Sequence, residues 1–249
     1  MRVSWSSMRG YEQCSLRQKL LLIDKLGPQK IDERRFIRGS TGHKFLDTWT
    51  KRGFSAEMKL QEAGTIFERL VNRKLIVWLQ EGDKEKLHAQ VIEDASMNIE
   101  AIHHHQINLI DDLEPEKWVS KRILSGNHEL AGLIDMVAGR GAWLIEAKFS
   151  NDSKWSDPGQ LIFYGLISKM ATGEFPERLS FFLPFMVDVN RRLIDIKFAQ
   201  NEFEKMNERI LNFIDHWKRG IFLPSGKKEI CHFCEVKRFC FKCPERKFL

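Results

Sequence analysis

The segment from Gly132 to Lys148 constrains the fold more than any other part of this sequence. Two apolar stretches flank Gly139-Arg140-Gly141, and a glycine-rich interruption of this kind is typical of a β-hairpin turn. A two-residue turn at Arg140-Gly141 pairs Asp135 directly with Glu146, with their Cβ atoms roughly 5 Å apart. Side chains alternate along a strand, so Lys148 is predicted to lie on the same face as Glu146.

Two carboxylates that face each other on paired strands repel, which costs stability unless a cation or a proton lies between them. A hard divalent cation such as Mg²⁺ or Mn²⁺ prefers carboxylate and water oxygens as ligands. One interpretation of this segment is therefore a metal site at Asp135 and Glu146. The other is a solvent-exposed hairpin face on which Lys148 neutralises its acidic neighbours.

The rest of the 249-residue chain alternates predicted helices and strands. Amphipathic or helix-forming patterns predict helices at 6–26, 42–50, 55–80, 85–107, 157–171 and 199–219. Short apolar, partly β-branched segments predict strands at 118–124, 129–138, 142–149, 178–188 and 192–198. This order predicts an α/β or α+β domain, in which residues 51–115 form a helical insertion.

Charge and hydropathy narrow the class of partner. The chain has 40 basic and 34 acidic residues, a net charge of +6 that favours a polyanionic partner such as a nucleic acid. No segment has the apolar length of a membrane span, and the first residues lack the apolar run of a signal peptide. We therefore expect a cytoplasmic protein with no membrane partner.

Three further features lie outside the acidic hairpin. Gly39-Ser-Thr-Gly-His43 places a histidine at the start of a predicted short helix. Gln160 and Tyr164 are four residues apart and so share one face of the next predicted helix. Cys14 stands alone, whereas the other four cysteines crowd the segment 231–243. In a reducing compartment such clustering suggests metal or iron–sulfur ligation rather than disulfides.

In this order, the motifs resemble those of a RecB-like nuclease of the PD-(D/E)-x-K superfamily, in the branch with an iron–sulfur cluster. That branch includes the AddB nuclease domain and the Cas exonuclease of CRISPR adaptation. The similarity runs nearly end to end. The matching motifs are Ser7 to Cys14 (opening helix and first cluster cysteine), Gly39 to His43 (metal-binding histidine), Gly132 to Asp135 and Glu146 to Lys148 (central acids and lysine), Gln160 to Tyr164 (Q-x-x-x-Y), and Cys231-x2-Cys234-x5-Cys240 (closing cysteine triplet).

Two departures from the family's pattern affect the subfamily. The second acid is Glu146 where many relatives have Asp, a substitution that the superfamily pattern allows. The separation of His43 from Asp135 is long for the compact CRISPR exonucleases, because residues 51–115 lie between them. The chain resembles instead a stand-alone RecB-like exonuclease, such as those encoded by phages.

The resemblance implies a restriction-endonuclease-like α/β fold, with a mixed sheet flanked by helices in a single nuclease domain over 1–249. It implies that Mg²⁺ or Mn²⁺ is held by His43, Asp135, Glu146 and the Ala147 carbonyl. Lys148 would position or activate the attacking water. Gln160 and Tyr164 would orient the substrate or the lysine.

The implied activity is exonucleolytic hydrolysis of DNA, with single-stranded ends as the substrate and 5′-phosphate and 3′-hydroxyl products. Recombination, repair or end processing is the expected context, with recombination proteins as partners. The alternatives are prespacer processing with Cas protein partners, and a catalytically weak DNA-binding scaffold.

Two cysteine sets compete for the second metal centre. The local set of Cys231, Cys234, Cys240 and Cys243 could close around a structural Zn²⁺. The set of Cys14, Cys231, Cys234 and Cys240 matches the family and would hold a [4Fe–4S] cluster that joins the N- and C-terminal segments. The cluster is the favoured interpretation because zinc leaves Cys14 without a role.

Overall fold

The computed structural model describes residues 1–26, 34–54, 60–73, 81–150, 156–232 and 234–241. Eight helices and six strands are present in these ranges. In chain order they are β1 Arg2–Val3, α1 Trp5–Gln13, α2 Ser15–Leu22, α3 Arg34–Lys51, α4 Leu60–Arg73, α5 Glu81–His104, β2 Glu114–Ile123, β3 His128–Ala138, β4 Trp143–Ala147, α6 Pro158–Thr172, β5 Arg178–Phe182, β6 Leu193–Asp195, α7 Gln200–Lys218 and α8 Lys228–His232. None of the described helices is long and apolar enough to cross a membrane.

The chain divides into two compact units. The first comprises Met1–Asp32, Lys121–Gly132 and Gln200–Leu249, and the second comprises Glu33–Ser120 and Leu133–Ala199. In the first unit, β1 pairs in parallel with the beginning of β3, Val3 opposite Leu130. Helix α7 buries an apolar stripe, as its periodicity predicts, and the ring of Phe213 packs edge-on against Tyr11 at 5.1 Å.

The second unit contains the central strands of a mixed sheet. Strand β4 is antiparallel to β3 and parallel to β5, and β5 is antiparallel to β6. One hydrophobic core joins helices α3, α4 and α5 to sheet residues such as Met136, Ile145 and Phe182. The mixed α/β architecture predicted from the sequence is confirmed. The division of the chain into a single nuclease domain with an insertion at 51–115 stays a prediction, and residues 51–115 belong to the second unit.

The prediction of one helix over 6–26 is wrong, because the helix breaks at Cys14. Cys14 has extended backbone angles (φ −162°, ψ 97°) and separates α1 from α2. The first turn of α2 bonds instead to Leu223: Leu16 N donates to the Leu223 carbonyl at 3.1 Å, and Leu223 N donates to Ser15 Oγ at 2.6 Å. A distant segment thus satisfies backbone groups that a continuous helix would pair locally.

The predicted helix at 42–50 is too short, and His43 does not lie at a helix start. Helix α3 spans 18 residues, and His43 lies near its middle. Glycine is a poor helix former, yet Gly39 and Gly42 both lie inside α3. Burial of Ile37, Phe45 and Trp49 in the core outweighs that local preference. The strand pair near the other end is also shorter than predicted, at Arg178–Phe182 and Leu193–Asp195, with a 3₁₀ turn at Val189–Arg191 where a turn was expected.

Candidate active site

The β3–β4 hairpin has the predicted register, although its turn differs. Met136 pairs with Ile145 and Ala138 pairs with Trp143. Continuing this register by one residue sets Asp135 opposite Glu146. The predicted two-residue turn is instead a four-residue connection containing a 3₁₀ turn over Gly139–Gly141. Both turns are centred between residues 140 and 141, which is why the register is unchanged.

The carboxylate of Asp135 is held by two groups from different elements. Its Oδ2 accepts a hydrogen bond from the backbone N–H of Ala147 at 2.7 Å. Its Oδ1 lies 3.0 Å from Nδ1 of His43, which reaches it from α3. Burial alone would lower the pKa of His43, but the hydrogen bond and charge of Asp135, with the charge of Glu146, outweigh it and raise that pKa.

The second carboxylate anchors a chain of polar contacts. Lys148 Nζ donates to Glu146 Oε1 at 2.7 Å and to Gln160 Oε1 at 2.8 Å. Gln160 Nε2 donates to the same Glu146 oxygen at 2.6 Å and to the Tyr164 hydroxyl at 3.1 Å. Gln160 and Tyr164 therefore lie on the face of α6 that meets the acidic hairpin. The structure brings all six predicted side chains of the site together in the second unit.

Only one of the two carboxylate oxygens of Glu146 has hydrogen-bond partners among the described residues. Only 5% of the residue is exposed, and Oε2 is buried without a hydrogen-bond partner among the described residues. Burial and the facing charge of Asp135 raise the pKa of Glu146 to about 8, against the lowering effect of Lys148 and His43. The pKa of the Tyr164 hydroxyl is also raised, mainly by burial and secondly by the charge of Glu146. The exposed-hairpin interpretation is therefore wrong, because the second acid is buried.

The donor set fits a hard divalent cation. An orphaned carboxylate oxygen beside a second acid is a position where a cation removes both the repulsion and the unsatisfied acceptor. In the described part of the chain, however, no three His, Cys, Asp or Glu side chains are already arranged as a complete metal-binding group. Here Oε1 of Glu146 is engaged by Lys148 and Gln160, and His43 bonds to Asp135.

Sequence reasoning missed the contact that orients His43. The ring of Phe149 packs edge-on against the His43 ring, with centroids 4.7 Å apart. A Cβ atom at Gly42 would lie 2.4 Å from the Phe149 ring, so only glycine allows this approach. The signal available in the sequence was the glycine directly before the histidine.

The cysteines form a separate feature in the first unit. Four cysteines line one small cavity, and none of them forms a disulfide with another described residue: Cys14, Cys231, Cys234 and Cys240. Arg17 lines the same cavity and forms a bidentate ion pair with Glu235, with contacts of 2.6 and 2.8 Å. Burial raises the pKa of the Cys234 thiol. Cys243 lies outside the described residues.

A family model agrees with the central motif of two acids and a lysine. The chain resembles a solved structure described as "Crystal structure of SSO0001", with 17% identity, a TM-score of 0.38, and coverage of 64% of this chain and 77% of that one. No curated protein matches the sequence. The family model described as "PD-(D/E)XK nuclease superfamily" matches residues 2–241. Since this match covers nearly the whole sequence, the chain belongs to the PD-(D/E)XK nuclease superfamily.

Proposed function

We propose that this nuclease is a metal-dependent DNA exonuclease of the RecB-like branch, acting in recombination, repair or end processing. The observation that carries the proposal is the buried Glu146 carboxylate: Lys148 and Gln160 bind one of its oxygens, and the other has no hydrogen-bond partner among the described residues. Such a buried group is costly to maintain unless a ligand uses it. A phosphodiester with an accompanying cation is that ligand.

His43, Asp135, Glu146 and the Ala147 carbonyl would hold Mg²⁺ or Mn²⁺. When bound, the cation lowers the pKa of a water ligand and neutralises negative charge on the phosphate. Lys148 lies beside Glu146 and carries a positive charge that can orient the attacking water and stabilise the charge that develops during attack. Gln160 holds both partners of the Lys148–Glu146 pair, and Tyr164 fixes the amide of Gln160, so both act as positioning residues.

The proposed activity is tested by digestion of end-labelled single- and double-stranded DNA with Mg²⁺ or Mn²⁺. We expect linear DNA to be degraded and circular single-stranded DNA to resist, because an exonuclease requires an end. Asp135→Ala is expected to abolish degradation, since it removes the contacts to His43 and Ala147. The matched control Asp111→Ala removes an exposed acid and should retain activity. A wild-type rate in purified Asp135→Ala protein would contradict the assignment.

We also propose that Cys14, Cys231, Cys234 and Cys240 hold a [4Fe–4S] cluster with a structural role. The support for this proposal is that all four cysteines line one cavity and follow the family's spacing, although the described residues contain no cysteine group already arranged as metal ligands. The inclusion of Cys14 separates this set from the local zinc set, which would use Cys243 in its place. A cluster would tie two segments more than 200 residues apart, which reduces the entropy of the unfolded chain.

Substitution of single cysteines distinguishes the two sets. In anaerobically purified protein we expect about four irons per chain and broad visible absorption. Cys14→Ser should lose both and lower the melting temperature, whereas Cys243→Ser should keep both. Stoichiometric zinc that depends on Cys243 and not on Cys14 would refute the cluster.

A further inference from the structure

A continuous series of packed side chains in the second unit ends at the ring of His43. Phe149, which packs edge-on against that ring, also contacts the ring of Phe185, with centroids 5.6 Å apart. The guanidinium carbon of Arg38 lies 5.4 Å from the centre of the Phe185 ring. Asp94 completes the series, because its carboxylate accepts two hydrogen bonds from Arg38, at 2.6 and 2.8 Å. We call these four residues, Phe149, Phe185, Arg38 and Asp94, the support series.

The pairing of β4 with β5 explains why the two phenylalanines meet. These strands are parallel, with Ala147 opposite Phe182, and the backbone N–H of Lys148 donates to the Phe182 carbonyl at 2.8 Å just beyond the end of β4. The carboxyl ends of neighbouring parallel strands lie at the same edge of a sheet. Phe149 and Phe185, in the segments that follow the two strands, are therefore brought together at this edge.

The far end of the support series is a rigid ion pair between helices α3 and α5. Asp94 is only 3% exposed, and a carboxylate this deeply buried requires a charged partner. The two parallel hydrogen bonds from Arg38 fix the plane of the guanidinium as well as its position. A cation within about 6 Å of an aromatic ring is attracted to its face. The ion pair therefore holds Phe185, which is itself 2% exposed, in one place.

The ring of His43 requires such support because it is partly exposed. Of its side chain, 39% is accessible to solvent, and the torsion about which a histidine ring turns has only a broad preference. The ring nevertheless faces Asp135, with Nδ1 3.0 Å from Oδ1. Contact with Phe149 restricts rotation of the His43 ring, so any residue that fixes Phe149 contributes to this orientation.

We propose that Arg38, Asp94 and Phe185 are positioning residues, which orient His43 through Phe149 and so raise the affinity of the site for its divalent cation. The proposal rests on the proposed function, because it takes His43 as a metal ligand. A ligand that is already oriented loses less conformational freedom when the cation binds. The ion pair and the two rings thereby contribute to metal binding without contacting the metal.

Phe185→Leu tests the series, because it removes the ring between Arg38 and Phe149 and leaves every proposed metal ligand in place. We expect Mn²⁺ to bind about ten-fold more weakly, since residues that orient a metal ligand typically contribute about ten- to a hundred-fold to affinity. The Kd for Mn²⁺ is measured by calorimetric titration without DNA. The ring resonances of His43, assigned by their loss in His43→Gln, should also shift in the metal-free variant.

Phe67→Leu is the matched control. Phe67 is fully buried in the same unit and packs edge-on against another histidine, His88, with centroids 5.5 Å apart. Both substitutions remove the same atoms from a packed interior, so both should lower the melting temperature. Phe67→Leu should change neither the Kd for Mn²⁺ nor the resonances of His43. An equal rise of Kd in the two variants would overturn the proposal, since a general loss of packing would explain both.

Arg38→Lys tests whether the ion pair acts through the rings. Lysine keeps the charge but cannot form the two parallel hydrogen bonds to Asp94. The substitution should raise the Kd for Mn²⁺ by about two-fold or more, the lower limit of couplings typical of residues in contact. In a Phe149→Leu background it should have no further effect, because the series is already interrupted. An equal effect in both backgrounds would overturn the proposal, since the ion pair would then act by holding α3 against α5.

Failure of this inference differs from failure of the proposed function. A wild type that binds Mn²⁺ no more tightly than His43→Gln would overturn the proposed ligand set, and this inference with it. If the wild type binds Mn²⁺ through His43 and Phe185→Leu binds it as tightly, the positioning role alone is overturned. A weaker Kd in Phe185→Leu with unchanged resonances of His43 would also overturn that role, because the ring would not have moved.

Discussion

Replacement of Lys148 by methionine is expected to reduce DNA cleavage by about a thousand-fold or more while leaving the protein folded. The Nζ atom contacts Glu146 at 2.7 Å and Gln160 at 2.8 Å, so under the proposed mechanism its positive charge lies beside the phosphate and the attacking water. Methionine keeps the length of the side chain and removes the charge. The measurement is the single-turnover rate on end-labelled single-stranded DNA with Mn²⁺, compared with the melting temperature of the same preparation.

Lys197→Met is the matched control, because Lys197 is exposed in the same unit. It should cleave at the rate of the wild type. A Lys148→Met protein that keeps its melting temperature and retains more than about a tenth of the wild-type rate would contradict the proposed role of the lysine in cleavage. If Lys148→Met loses both activity and fold, Lys148→Arg becomes the test. Arginine keeps the positive charge but replaces the compact ammonium group of lysine by a larger guanidinium. Under the proposed role, Lys148→Arg folds and cleaves at an intermediate rate.

Replacement of Glu146 by glutamine is expected to abolish cleavage and to stabilise the metal-free protein. Burial and the facing Asp135 raise the pKa of this carboxyl to about 8, so the charged form of Glu146 is destabilised in the folded state. Glutamine keeps an acceptor for Lys148 and Gln160 but carries no charge. Because burial and the facing acid outweigh the attraction of Lys148, removal of this charge should raise the free energy of unfolding by about 1–3 kcal/mol at a pH where the carboxyl is ionised.

The gain should appear in denaturant unfolding with a chelator present, near pH 8, where the wild-type carboxyl is partly ionised. Added Mn²⁺ should make the wild type more stable to denaturant than Glu146→Gln. The wild type gains stability by binding the cation in its folded state, whereas the variant does not. Glu204→Gln, on an exposed part of α7, should change neither quantity. A Glu146→Gln protein that is stabilised by Mn²⁺ as much as the wild type would contradict the proposed ligand set.

The hairpin could be predicted from the sequence because its determinants are local. The apolar runs, the glycines and the two-residue period of a strand are sufficient to set Asp135 opposite Glu146 and to put Lys148 on the same face. The turn itself was mispredicted, but a longer connection centred at the same place leaves the register intact. The four-residue spacing of Gln160 and Tyr164 was likewise enough to place both on one face of a helix.

The break at Cys14 could not be predicted in this way. The residues around it have helical periodicity, and the hydrogen bonds made by Ser15 Oγ and Leu16 N just after the break are to Leu223, about 200 residues later. The length of α3 was also not predictable, since burial in the core outweighs the poor helix propensity of Gly39 and Gly42. In both cases the deciding interaction is between segments distant in sequence.

The sequence by itself determined which residues are candidates for the chemistry and how the two acids and the lysine are registered, because strand and helix periods act over a few residues. Only the tertiary structure decided that Glu146 is buried and that, among the described residues, one of its oxygens has no hydrogen-bond partner. Burial depends on which distant surfaces exclude water from a side chain. No local pattern of residues carries that information.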